Sequence, residues 1–488
     1  MELFSCFDKY QTYLVGGAIR NWLLKKEIYD IDIIVVAEKN DFINIIKKIS
    51  KKFNIFPLDR ERGIYRINIS KELTIDISMI SDLGSDLMAR DFTINSLAVD
   101  IKKAKVKVVR DSFKIKINKK DIIDKLSGIK DINHSIIRVN SEKSFIDDPL
   151  RLLRAYRFFA TLDFDIDKQT LNFIGKNKTL IHSSSPERIR EELLKIFETD
   201  NTEKTFKKMA ENEFLFELFP VLKMQMSCAE VYYGKGGVLK HTFNVLKRLD
   251  LLYQNPKKYL NISKKLLVQM KNEKALIKLA GLLHDVAKPH KAKFIKDRLR
   301  FFGHEEYGGI LSERILRDFK FSNNEIRYVK VIISDHLRVG NIAHNNIITP
   351  RAILRIFYDL KEYTLGLLIL SWADHSSYMS EKKLNLLSKK IKEKPFEIKH
   401  KLPKNGPKKT VRFLQVVNMI LKNYSRFNRQ SDIKPIIDGN EIMQVLNIKP
   451  SPVVGKIIKK LINLQLEKKL INKKDATNYI KSLHIEDL

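Results

Sequence analysis

The sequence predicts a multidomain chain, an N-terminal α/β module followed by an all-helical body. Three observations predict it. Short β-branched runs alternate with helical stretches over the first ~140 residues. Beyond about residue 141 clear strand runs vanish, and segments such as 149–162 and 186–198 carry apolar residues at helical spacing. The 488 residues are 44% hydrophobic, enough to fill about three or four domain cores.

In order along the chain, TYLVGG (12–17), DIDIIVV (30–36), IYRINI (64–69), LTIDIS (73–78) and AKVKVV (104–109) read as strands. The expected divisions are 1–140, 141–200, 201–400 and 401–488, with no fixed-period repeat. Residues 234–237 and the Lys/Pro-rich stretch 392–409 read as inter-domain connections.

Composition narrows the partners. Lysine and arginine number 91 against 58 acids, a formal charge of +33 spread along the whole chain. Such a surface attracts polyanions, of which nucleic acid is the commonest; a Lys/Ile-rich bias of the whole proteome is the alternative. No run of roughly 18 apolar residues appears, so no membrane span is expected. The start MELFSCFDKY does not read as a signal peptide. Cys6 and Cys228 form no CxxC pair, which argues against a disulfide framework or cysteine zinc site and suits a reducing cytoplasm.

The first chemistry lies in YLVGGAIRNWLLKKEIYDIDIIVV. A strand ends at Val15, Gly16 and Gly17 turn the chain, and a helix is expected to start near Ala18. Glycines let backbone approach a ligand, and the N–H groups of the following helix favour phosphate. Arg20 lies one turn in, where its guanidinium can fork onto a phosphate oxygen. Alternation along 30–36 puts Asp30 and Asp32 on one strand face and Ile31, Ile33 and Val35 on the other. Paired carboxylates repel unless a cation neutralises them, and Mg²⁺ favours carboxylates plus substrate phosphate. Two such ions about 4 Å apart clamp an in-line phosphoryl displacement. Asp76 in LTIDIS is the expected third carboxylate. A solvated strand edge is the plain alternative for D-x-D alone.

DLMARDFTINSLAVD (86–100), DDPLRLLRAYRFFA (147–160) and SPERIREELLKIF (185–197) follow. With GGAIR and DID ahead of them, the set resembles the bacterial tRNA nucleotidyltransferase and poly(A) polymerase family, over roughly residues 12–197. The resemblance implies a polymerase-β-like catalytic head and helical neck, with CTP, ATP and tRNA as partners and Mg²⁺ as cofactor. It implies that Gly16, Gly17 and Arg20 hold the incoming triphosphate and that Asp30 and Asp32 bind the metals. It further assigns Arg90 to the nucleotide, with Asp91 and Asn95 as ribose or structural partners. Asp148, Arg151, Arg154 and Arg157 recur every three residues along one drifting helix stripe. Asp148 and Arg151 give a physical account of base choice. Cytosine and adenine both present an exocyclic amine beside an unprotonated ring nitrogen, which a carboxylate and a guanidinium complement. Guanine and uracil fail both contacts. A helix N-cap role for Asp148, ahead of Pro149, is the structural alternative.

Three positions depart mildly from the family pattern: Asn21, Asp147 and Ser96. More telling is the short interval between Asp76 and Asp86, where many CCA-adding relatives carry a longer basic loop that helps the switch from C to A. That leaves CC-only or A-only addition open beside full CCA addition, and poly(A) polymerase shares the head chemistry.

Seven of the eleven histidines lie between residues 241 and 375. His241, His284-Asp285 and Asp374 match the H…HD…D order of HD-type metal phosphohydrolases, and His304 and His336 extend it. Imidazole and carboxylate from neighbouring helices can bind a second divalent metal and activate water. The alternatives are a helical RNA-binding body without hydrolysis, and a phosphohydrolase whose degenerate head only binds RNA. The tail 438–480 resembles the family's helical C-terminal module, and its lysines around 458–474 suit a tRNA backbone or a solvated helix surface.

Overall fold

The computed structural model describes residues 2–60, 63–345, 347–393, 406–466 and 469–483. The chain divides into two compact units, Met1–Ile196 with Lys204–Pro220, and Phe197–Glu203 with Val221–Leu488.

The first unit is built on a seven-stranded sheet. Its opening elements are β1 (Gln11–Val15), α1 (Gly17–Leu23), β2 (Asp30–Val36) and α2 (Lys39–Ser50). β3 (Ile55–Asp59), β4 (Ile64–Asn68), β5 (Thr74–Ile80) and α3 (Leu83–Ala89) follow. Then come β6 (Leu97–Asp100), β7 (Lys105–Val109), β8 (Ser112–Lys116) and β9 (Ile122–Asp124). The strand order is β3-β4-β5-β2-β1-β6-β9. Only β2 and β5 run parallel; the other neighbours are antiparallel.

All five expected strands are present, but AKVKVV lies off the main sheet, pairing with β8 as a separate ribbon. β3, β6, β8 and β9 were not read from the sequence. In β3, Pro57 and a register shift between Pro57 and Asp59 break the alternation, as suits an edge strand. β6 and β9 have only four and three residues, too short for a period to show.

The segment expected as the neck, 141–200, is preceded by α4 (Gly128–Asn133) and begins with α5 (Lys143–Asp147) and α6 (Leu150–Leu162). α7 (Lys168–Asn177) and α8 (Pro186–Phe197) complete it. α6 buries Leu150, Leu152, Leu153, Ala155, Tyr156 and Phe158, the stripe its helical spacing predicts. The neck grips the head through Asn140. Its amide donates to the carbonyls of Leu87 (3.0 Å) and Arg90 (2.9 Å) and to Ser96 Oγ (2.8 Å). Thr93 N–H donates to the Arg138 carbonyl at 2.9 Å, so residues 90–96 are pinned from the neck side.

The second unit is helical apart from one hairpin, among the described residues. Helix Thr364–Ser377 is buried nearly all round, from Thr364 through Asp374, and Gly237–Gln254, Lys274–Leu283 and Asn323–Ser334 pack around it. It is an interior helix, and no helix of the described residues is long and apolar enough to cross a membrane. The glycines at 234–237 form a tight turn within this unit, between helices Glu230–Tyr233 and Gly237–Gln254. Gly237 has φ +52, and a Cβ there would lie 2.3 Å from the Cys228 carbonyl oxygen. The break between the units falls earlier, at Pro220, so the expected inter-domain connection at 234–237 is a turn instead. Most of the other expected connection, 394–405, lies outside the described residues. Helices Gly439–Leu446, Pro452–Leu466 and Lys473–Lys481 enclose a core of their own around Ile442, Ile457, Leu461 and Ile480.

Candidate active site and metal centre

The carboxylates meet on one face of the sheet. In β2, Ile31 and Ile33 are fully buried on one side, and Asp30 and Asp32 project from the other. The register sets Asp32 opposite Asp76 on β5 and opposite Val15 on β1, next to the glycine turn. Three acids therefore share one patch. Burial, together with Asp76 and Asp30, pushes the Asp32 carboxyl up to about 6, against the pull of Arg90. Such an anionic patch fits a divalent cation.

Asp76 is already answered. Arg66 on β4 lies directly across from it and donates to both carboxylate oxygens, at 2.7 and 2.8 Å. Asp30 and Asp32 make no such ion pair among the described residues, so they are the open members of the trio.

Gly16 closes the corner. Its φ is +75, and a Cβ there would stand 3.0 Å from an Arg90 Nη and 3.1 Å from an Asp32 carboxylate oxygen. Only glycine admits that approach at that backbone angle. Arg90 is tethered through Nε to Asp86 at 2.9 Å, with its Nη1 toward this corner.

The other arginines are engaged by partners within the protein. The position of Arg20 one turn into α1 predicts that its guanidinium forks onto phosphate. In the structure it donates to Asn21 Oδ1 (2.9 and 3.2 Å) and to Asn95 Oδ1. Burial and nearby Arg157 lower its pKa to about 10, still charged at neutral pH. Arg154 is spent on Asp91, at 3.0 and 2.6 Å. Arg157 is spent on Glu192 at 2.5 Å. The three guanidiniums surround buried Phe158 at 3.9 to 5.5 Å. They form the floor beneath the site, with Asp91 and Glu192 as counter-ions.

Asp91 carries the most of this floor. Burial alone would raise its carboxyl, but Arg154, the Asn95 amide and the Phe92 N–H hold it down to about 2. Its bonds to Arg154, Asn95 and the Phe92 N–H are contacts within the protein.

At the start of α6, Asp148 and Arg151 stand 4.0 Å apart. Arg188 from α8 donates to both Asp148 oxygens, at 3.1 and 2.9 Å. The expected cap is shifted by one residue: Pro149 is the N-cap of α6, and Asp148 accepts from Leu150 N–H at 3.3 Å. Arg151 donates to Ser144 Oγ at 2.7 Å. Arg66, Arg188 and Glu192 were missed because each acts across a strand pair or a helix contact. Arg188 and Glu192 nonetheless lie inside PERIREEL. β5 and α3 are joined by Ser81 and Asp82 alone, and Asp82 caps α3 by accepting from Ser85 N–H. No long loop stands there.

The second unit gathers six buried ligand-type residues. His241, His284 and Asp374 form one group, and Asp285, His304 and His336 a second, each with ligand atoms within 4.8 Å of one another. They come from five segments of the helical body, and all are less than 8% exposed. His241 Nε2 lies 3.1 Å from Asp374, and His284 Nε2 lies 3.1 Å from Asp285. The outer nitrogens are anchored. Nδ1 of His284, His304 and His336 contacts the carbonyls of Gly281, Phe301 and Ile333 at 2.9, 2.7 and 2.7 Å. That fixes each ring with Nε2 turned inward, the arrangement of metal-ligating histidine. Nε2 of His241, His284 and His304 and one oxygen each of Asp285 and Asp374 make no hydrogen bond despite burial. Burial and His284 lower His336 to about 3, keeping it neutral. The six groups fit a divalent metal. Lys288 Nζ contacts Asp285 at 2.5 Å and Tyr233 Oη at 3.0 Å.

Comparison with known proteins gives the same parts in the same order. The poly(A) polymerase head domain model matches residues 12–138. The probable RNA- and SrmB-binding site of polymerase A matches 163–226, and the HD domain matches 238–379. A CC-adding tRNA nucleotidyltransferase of Geobacter sulfurreducens is 35% identical over 193 residues, 39% of this chain and 41% of that protein. An A-adding tRNA nucleotidyltransferase of Deinococcus radiodurans is 23% identical over 462 residues, 92% of this chain and 90% of that one. The chain spans about half the length of such relatives as the Geobacter protein and the Ligilactobacillus salivarius CCA-adding enzyme (41% and 51%). Among solved structures, the Thermotoga maritima CCA-adding enzyme complexed with tRNA aligns over 98% of this chain and 93% of its own, at 19% identity and TM-score 0.57. That likeness is one of fold.

The Asp91 floor is open to a stability test. Its folded pKa lies below the ordinary carboxylate value, so ionised Asp91 stabilises the unit above pH ~4, and that stabilisation fades as pH falls to about 2. Asp91→Asn is expected to lower unfolding free energy at pH 7 by about 2 kcal/mol. In urea unfolding followed by circular dichroism, the gap from wild type should close between pH ~4 and ~2.

Proposed function

The chain belongs to the bacterial tRNA nucleotidyltransferase and poly(A) polymerase family that carries an HD domain, and from that premise we propose that it adds C, A or both to the 3′ end of tRNA. The substrates are CTP and ATP, the by-product is pyrophosphate, and the setting is the cytoplasm. One observation carries the reading: Asp30 and Asp32 stand open on one sheet face, beside the Gly16 turn and Arg90.

Asp30 and Asp32 are the residues that would hold Mg²⁺, which supplies neutralisation of the triphosphate and a more acidic RNA hydroxyl. The RNA 3′-oxygen attacks the α-phosphate and pyrophosphate leaves, with no covalent enzyme intermediate. Arg90 faces the same corner and stabilises phosphate charge. Arg66 cancels Asp76, so the patch keeps two open acids rather than three. Arg20, Arg154 and Arg157 act as positioning residues through Asn95, Asp91 and Glu192. Asp148 accepts from the amine of cytosine or adenine while Arg151 donates to the ring nitrogen. A carboxylate has about four acceptor sites. Arg188 occupies one on each oxygen and the Leu150 N–H a second on Oδ1, leaving a site on Oδ2 for the base. The exposed lysines of the tail, Lys459, Lys460, Lys469 and Lys474 among them, supply contacts to the tRNA backbone.

The two-residue joint between β5 and α3 favours a partial reaction, C only or A only, as a second reading. The buried histidine–aspartate centre favours an additional phosphohydrolase activity, for which a divalent ion held by these residues supplies Lewis acidity toward a phosphate ester.

Labelled CTP or ATP, offered separately and together to tRNA transcripts ending at the discriminator base, CC or CCA, tests the main reading. Wild type should extend the truncated transcripts by one to three nucleotides, and Asp32→Ala should slow this at least ~100-fold. Full-speed addition by the variant, or long adenosine tails on generic RNA, would contradict it. For the second centre, His284→Ala with Asp285→Ala should lose bound divalent metal after dialysis, read by elemental analysis, and keep nucleotide addition.

A further inference from the structure

Between Asp285 and His304 the chain leaves the helical body as a hairpin, with strands Lys293–Ile295 and Arg298–Arg300. Its two tip residues, Lys296 and Asp297, both have positive φ, +47 and +56, as a tight two-residue turn requires. Residues 291–300 hold Lys291, Lys293, Lys296, Arg298 and Arg300 against one acid, Asp297. The register sets Lys293 directly across from Arg300, a like-charge pair that costs stability. Neither has an acidic partner among the described residues. Two large aromatics stand in solvent beside this charge, Phe294 at 75% and Phe302 at 74% exposure.

The hairpin is fixed to the wall of the histidine–aspartate centre. Tyr232 Oη donates to the Leu299 carbonyl at 3.1 Å. Its neighbour Tyr233 stacks on His241 at 4.9 Å and contacts Lys288. At the other end, the Phe301 carbonyl anchors His304 Nδ1 at 2.7 Å, and Lys288 lies 5.7 Å from the Phe301 ring. The base of the hairpin therefore borders the centre on two sides.

We propose that this hairpin is a docking platform for a single-stranded RNA end, which it presents to the histidine–aspartate centre. Exposed aromatics stack on any base, and unpaired lysines and arginines follow a phosphate backbone, the pairing that single-stranded nucleic acid selects. Like charges face one another across the ribbon because the neutralising partner is a polyanion from outside. This deepens the phosphohydrolase reading and rests on it for the reaction at the RNA end. There water adds across a P–O bond of a phosphate ester at that end, cleaving it to a free hydroxyl and a phosphate carrying one ester bond fewer; a 2′,3′-cyclic phosphate serves as the probe.

Two measurements on the full-length protein separate the inference from that reading. A ten-nucleotide RNA ending in a 2′,3′-cyclic phosphate is photocrosslinked and the attached peptides are mapped by mass spectrometry. Crosslinks at Phe294 or Phe302 are expected, and their absence from 291–302 overturns the platform. In parallel, cyclic-ester opening is followed on that RNA and on a 2′,3′-cyclic mononucleotide. Phe294→Ala with Phe302→Ala should raise KM for the RNA about tenfold or more, from lost stacking, with the mononucleotide unchanged. Arg298→Glu with Arg300→Glu should raise the RNA KM and flatten its salt dependence. An unchanged RNA KM in both variants overturns the platform, as does binding of the hairpin to anionic vesicles in place of RNA. If wild type opens neither substrate, the hydrolase reading fails, and the crosslinks alone decide the docking.

Discussion

Three carboxylates on adjacent strands of one sheet, Asp30, Asp32 and Asp76, repel one another, and the rest of the head is arranged around that repulsion. The parallel pairing of β2 and β5 fixes Asp32 beside Asp76, and no side-chain rotation can fully separate them. One cation, Arg66, is bonded to Asp76 through both oxygens. Arg90 approaches Asp32 but is held back by Asp86. The surplus of negative charge at Asp30 and Asp32 is what a divalent ion with a triphosphate can use. A tight glycine turn is needed at that point because Gly16 must fit between Arg90 and Asp32.

Beneath the patch, the buried guanidiniums do a different task. Arg20, Arg154 and Arg157 are each matched to a fixed partner, and all three surround Phe158. A buried cation left unmatched would be costly, so these pairs specify one arrangement of the floor. Asn140 and the Arg138 carbonyl tie head residues 87–96 to the neck, and the pair Asp148–Arg151 sits at the start of α6, the helix that also carries Arg154 and Arg157. The site thus divides into acids without an ion pair among the described residues, Asp30 and Asp32, and arginines already engaged by the protein, Arg66, Arg90, Arg151, Arg154 and Arg157.

What the sequence made legible was local. The D-x-D alternation and the Gly-Gly turn have periods of a few residues, and so do the stripes of α6 and α8. All stand in the structure where the sequence placed them. The histidine order also survived folding, with His304 and His336 joining the four assigned ligands in one buried centre. The partners were not legible. Arg66 meets Asp76 through an antiparallel register, Arg188 reaches Asp148 across 40 residues, and Glu192 meets Arg157 between two helices. Each depends on packing that no spacing rule contains. The long-range partners of Arg20, Arg154 and Arg157 were hidden for the same reason: Asn95, Asp91 and Glu192 lie far along the chain.

The two centres differ in a way that makes the central claim measurable. In the proposed reading, one is a carboxylate patch that a nucleotide completes; the other is a buried set of four imidazoles and two carboxylates that supplies its own ligands. Binding of Mn²⁺, followed by electron paramagnetic resonance with and without a non-reactive CTP analogue, separates them. In wild type the analogue should increase the number of ions bound, and in Asp30→Asn with Asp32→Asn that increase should vanish while nucleotide-independent binding persists. An undiminished increase in the variant would contradict the account.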